Sequence, residues 1–196
     1  MVEANNPTAT TASSNDSSPS EWPVFGIPDL LAQVMEARDA GKYLFIWDKS
    51  DQIDTFFKYK GFLCDFYFTH MKVQNGRATA AEAMEQLRDS FVKAGRQGQP
   101  LLINLDEQCP DLAADYCDAQ VFATDVAFNF VEWRKTEVHH AVLKEGENYS
   151  AAGTNIYFLQ PEFSMQIRST LSNAESVQEV LSKIPNIANF NKIVIQ

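Results

Sequence analysis

The stretch "QPLLINLDEQ", residues 99–108, decides how the chain is read. Four of the five residues from Leu101 to Leu105 are branched aliphatics, and two carboxylates, Asp106 and Glu107, follow at once. A short continuous apolar run of this kind suits a strand buried on both faces of a parallel sheet. An acid at the end of such a strand is where a nucleotide hydrolase holds Mg²⁺, and a second acid beside it is where water is polarised. Asp106 and Glu107 are therefore the candidate catalytic pair.

Outward from this strand the chain alternates. An amphipathic helix is expected over 29–40, with Leu31, Val34, Met35 and Arg38 at helical spacing and Gly41 as its stop. "KYLFIWD" (42–48) is a second buried strand, residues 52–61 a short helix, and "FLCDFYF" (62–68) a third strand. Thr79 and Glu82 form a capping box that opens a helix over 79–94, with Ala80, Met84, Leu87 and Phe91 on one face. Residues 111–118 and 124–135 read as weak helices, and "TNIYFLQP" (154–161) as the fourth strand. Ser172 and Glu175 make a further capping box before a helix that Pro185 stops, and "KIVIQ" (192–196) is the last strand. Strands separated mostly by helices predict an α/β fold: a three-layer, mainly parallel, five-stranded sheet with flanking helices.

Residues 1–20 hold almost no large apolar groups and are expected to be a disordered tail. Residues 21–196 form a single α/β domain in this reading. The net charge is −10 over 196 residues, with a pI near 4.7. Nucleic acid is excluded as a partner on that ground, because phosphate binding needs clustered Lys and Arg. An anionic membrane surface is excluded for the same reason, and no apolar run approaches the length of a span. Three cysteines and no apolar N-terminal leader point to a reducing, cytoplasmic setting. Cys64 reads as a core residue, and Cys109 and Cys117 as incidental.

A phosphate loop should follow "YLFIWD" if 100–107 is the acid-ended strand of a nucleotide hydrolase. Such a loop needs glycines, because backbone N–H groups must close around phosphate. The segment here is "DKSDQID" (48–54): it has no glycine and carries Asp48, Asp51 and Asp54. "AGRQGQ" (94–99) ends a helix rather than opening one. His139 and His140, near Glu137 and Glu145, invite a metal, but adjacent histidines point apart and zinc wants three or four convergent ligands. They read as solvated polar residues, so no metal and no cofactor is expected.

The layout resembles the AAA type of P-loop NTPase core over residues 42–196, carried by "LLINLDE" and by the order strand, loop, helix, strand, helix, acid-ended strand. That resemblance implies a P-loop-like topology, a metal and a water role for Asp106 and Glu107, and a sensor position near Asn155. The run "GKYLFIWDKSDQIDTFFKYKG" is similar to AAA-like domains of ciliary and protist proteins that lack Walker A, which implies a ciliary or flagellar location. The expectation is a non-catalytic, pseudo-ATPase module for protein–protein interaction or scaffolding. The alternative is an NTPase or phosphotransferase whose unconventional phosphate site uses Asp106 and Glu107. Seven Phe and Tyr in "DTFFKYKGFLCDFYF" (54–68) supply the candidate interaction face.

Overall fold

The structure, a computed structural model, describes residues 18–148 and 156–196. Its centre is one parallel sheet of six strands: β1 (Val24–Phe25), β2 (Leu44–Asp48), β3 (Phe62–Cys64), β4 (Pro100–Asp106), β5 (Ser164–Ser169) and β6 (Asn191–Ile195). Their spatial order is β1-β6-β2-β5-β4-β3. The α/β class and the parallel pairing agree with the sequence reading; the strand count is six rather than five, because two-residue β1 adds an edge beside β6.

Eight helices flank the sheet among the described residues: α1 (Leu30–Asp39), α2 (Ile53–Lys60), α3 (Phe66–Gln74), α4 (Ala80–Gln97), α5 (Thr124–Ala127), α6 (Phe130–Trp133), α7 (Thr136–Ala141) and α8 (Ala174–Ser182). Alternation along the strands splits the core in two. Leu44, Ile46, Leu102, Ile193 and Ile195 pack with Leu30, Val34 and Ala37 of α1 and Ile53 and Phe57 of α2. Phe45, Trp47, Leu101, Ile103 and Leu105 face the other way, onto Leu87 and Phe91 of α4 and Val177, Val180 and Leu181 of α8. Phe91 anchors that side: Phe122, Trp133 and Phe163 all lie within 5.8 Å of it, centroid to centroid.

Several expectations are corrected. The stretch 62–68 is a strand only to Cys64; Phe66, Thr69 and His70 are the buried face of α3. Residues 156–160 pair with no strand, although Tyr157 is fully buried; the fourth central strand is Ser164–Ser169. Residues 154 and 155, including the sensor candidate Asn155, lie outside the described residues, as do residues 1–17 of the expected tail. Residues 111–118 form turns, closed by a bridge between Asp118 and Phe122. The expected helix 124–135 is two single turns, α5 and α6, and α7 follows them. On α1 the inward face is Leu30, Val34 and Ala37, while Leu31 and Met35 are exposed. Asn173, not Ser172, caps α8, accepting the Ser176 N–H at 2.8 Å. The Thr79–Glu82 capping box forms as read.

Candidate functional site

Open parallel sheets bind ligands outside the carboxyl ends of their strands, where neighbouring strands send the chain to opposite faces. That point lies between β2 and β5. After β2 the chain enters α2 on one face; after β5 it enters α8 on the other. A cleft of about 460 Å³ opens there, lined by Asp48, Lys49, Asp51, Asp106, Glu107 and Thr170. The loop after β2 and the acids after β4 thus meet in one place.

A buried guanidinium lies behind two of the acids lining this cleft. Arg168, on β5, donates from Nε to Asp48 Oδ2 at 2.7 Å, from Nη2 to Asp51 Oδ1 at 2.8 Å and from Nη1 to Asn104 Oδ1 at 3.1 Å. Asn104 in turn donates to Asp65 Oδ1 at 3.1 Å. The chain Asp48–Arg168–Asn104–Asp65 therefore crosses the ends of β2, β5, β4 and β3. Sequence explains the placement: Arg168 is opposite Ile46 and Asn104 in register, so its side chain shares their face of the sheet.

Asp48 has no capacity left for a ligand. Its Oδ1 accepts the Ser50 N–H at 2.8 Å, the Ser50 hydroxyl at 2.7 Å and the Asp51 N–H at 3.2 Å. The loop that would cradle phosphate is instead wrapped around this carboxylate. Asp51 adopts the left-handed conformation at φ 58° to do so. No Cβ-free approach to a phosphate exists there, because the segment has no glycine.

The two sequence candidates sit at the rim. Asp106, at φ 53°, accepts the Thr170 hydroxyl at 2.9 Å. Glu107 is exposed beside it. They line the same cleft as the 48–51 loop, but what they face is acidic: Lys49 is the one cation lining it. Sequence reasoning missed Arg168, Asn104 and Thr170. The available signal was an arginine inside an alternating Met165-Gln166-Ile167-Arg168 segment, which says that a charge on one strand face needs a buried partner.

The other candidates separate. His139 is buried rather than solvated; its ring pairs through Nδ1 with the Trp133 carbonyl at 3.1 Å, and burial lowers its pKa. No three His, Cys, Asp or Glu side chains converge as metal ligands among the described residues. All three cysteines are free. Cys64 is a core residue as expected, its thiol pushed up to about 11 by burial. Of the 54–68 aromatics, Phe57 and Phe66 are buried, while Tyr59 is 82% and Phe68 53% exposed. Phe56 and Tyr59 line a mostly apolar groove with Ile27 and Lys60. Among the described residues no helix is long and apolar enough to cross a membrane. No protein-family model matches the chain, and no curated protein and no solved structure matches it.

Proposed function

We propose that this chain is a non-catalytic α/β module, P-loop-NTPase-like in layout, that works by binding another protein. The observation that carries the reading is the Arg168 clasp. The guanidinium behind the crevice, which a phosphate site there would recruit, is already held by Asp48, Asp51 and Asn104. Freeing it would break a buried pair, a loss of about 3–5 kcal/mol. Micromolar affinity amounts to only about 8 kcal/mol in all, and a triphosphate would still face Asp51, Asp106 and Glu107. The partner class is protein rather than nucleic acid, because the chain is strongly acidic. Its docking face is the groove of Ile27, Phe56 and Tyr59, where a large aromatic stands in water. A cytoplasmic setting, ciliary by the resemblance, belongs to the same proposal.

Calorimetric titration of ATP and GTP with Mg²⁺ into the full chain tests this reading, alongside a phosphate-release assay. The expected result is no saturable heat up to about 1 mM nucleotide. Binding tighter than about 100 µM, with turnover lost in Asp106→Asn, would overturn it and support the alternative enzyme using Asp106 and Glu107. Affinity capture with wild type and Tyr59→Asp tests the groove; a partner set untouched by Tyr59→Asp counts against it.

A further inference from the structure

At the opposite end of the sheet, near the start of β5, a pocket of about 310 Å³ lies between α7 and residues 156–159. We propose that it binds a small aromatic carboxylate. This goes beyond the reading above and does not depend on it.

The walls are aromatic. Tyr157 lies 5.7 Å from His139 and 6.0 Å from His140, and the two histidine rings are 5.0 Å apart, centroid to centroid. Phe158 adds a ring that is 65% exposed. A large aromatic left in water beside a concave aromatic wall is the arrangement that a flat ligand completes.

Arg134 supplies the charge. Its guanidinium lies 4.5 Å above the Phe130 ring and donates from Nη2 to the carbonyls of Pro161 (3.1 Å) and Phe163 (2.6 Å). It makes no ion pair with any described carboxylate. Glu162 acts on it only through space. Burial lowers its pKa, as expected of a cation drawn from water without a counter-ion. Nε and Nη1 have no acceptor among the described residues, so donors remain for a carboxylate. Burial also lowers the pKa of the neighbouring His139. Arg134 is the one guanidinium lining the pocket, with that of Arg96 5.4 Å from the Tyr157 ring, and this sparse positive charge among rings suits a singly charged planar acid better than a polyphosphate, which wants several cations.

The probe is 2-naphthoate, titrated calorimetrically into the full chain. Saturable one-to-one binding is expected in the millimolar range or better, as about 0.3 kcal/mol per heavy atom allows. The neutral isostere 2-naphthamide should bind at least about tenfold more weakly. Phe158→Ala, at an exposed position, should raise Kd at least about fivefold. Arg134→Gln would also strip two carbonyls of their donor, so His140→Glu serves as the charge variant: a carboxylate beside the pocket should abolish binding while the melting curve stays intact. No saturation up to about 5 mM, equal affinity for the amide, or an unchanged Kd in Phe158→Ala or His140→Glu each overturns the proposal.

Discussion

Arg168 and Asp48 form a buried ion pair, with 2.7 Å between Nε and Oδ2 and both side chains at most 3% exposed. The pair joins adjacent strands at the point where a ligand would enter a working enzyme. Breaking one side leaves a charge in the interior without its counter-ion. Arg168→Met or Asp48→Asn should each lower stability by about 3–5 kcal/mol. Asp48→Asn/Arg168→Met together should cost clearly less than the sum, since no orphan charge remains. A double-mutant cycle by urea denaturation measures this; strict additivity would show that the two residues act independently.

Asp51 provides the contrast within the same clasp. It also bonds Arg168, at 2.8 Å, but its side chain is 87% exposed. Water screens such a pair, so Asp51→Asn should change stability by less than about 1 kcal/mol. A loss as large as that of Asp48→Asn would mean that the loop, not the strand end, holds the guanidinium.

The central strand gives a test of the two-sided core. Leu102 packs against α1 and α2, and Ile103 against the larger cluster on the other face. Leu102→Ala and Ile103→Ala should each cost about 2–5 kcal/mol, as core truncations do. A loss under about 1 kcal/mol at either site would place that face of β4 outside the core.

Stability at acidic pH should depend on Arg88. Its buried guanidinium bonds Glu85, Glu147 and the Val142 carbonyl. Those hydrogen bonds hold the Glu85 carboxyl down at about 2, against 4.5 unperturbed, and also lower Glu147. Because both folded values lie below the unfolded ones, the contribution is complete above about pH 4.5 and is lost as pH falls toward about 2. Urea midpoints across that window should fall more steeply for wild type than for Glu85→Gln. Parallel curves would show that the pair does not contribute.

What was legible in the sequence follows from these environments. β2 and β4 are buried on both faces and read as unbroken apolar runs, and α4 announces itself through a capping box and a clean stripe. β5 escaped because one of its faces is polar yet buried: Ser164, Gln166 and Arg168 face α1 and α2, with Gln166 bonded to Ser164. The more apolar 156–160 drew the assignment instead, since Tyr157 is a core residue on a segment outside the sheet. "FYF" was read as strand although Phe66, Thr69, His70 and Val73 repeat at helical spacing; Asp65, at the start of α3, marks the change. The acids of the candidate site were visible, but the cation between the strands was not. Only the register of β5 against β2 and β4 brings Arg168 to Asp48 and Asn104, and no local pattern encodes a register.

The opening motif yields the last prediction. In a working hydrolase the acid that ends the strand anchors the metal, and neutralising it removes turnover. Here the Asp106 carboxylate accepts a hydrogen bond from the Thr170 hydroxyl, and the residue occupies the left-handed region at φ 53°. Asparagine adopts that conformation readily, its amide oxygen can keep the Thr170 bond, and the exchange removes one negative charge from an acidic rim. Glu107 is exposed and its exchange removes another. Asp106→Asn and Glu107→Gln should therefore leave the melting temperature unchanged or slightly higher, within about 0.5 kcal/mol of wild type, as surface substitutions do. Thermal melts with and without Mg²⁺ measure it. A Mg²⁺-dependent stabilisation of wild type that vanishes in Asp106→Asn would show that the acid still holds a cation, and the non-catalytic reading would fail at its central residue.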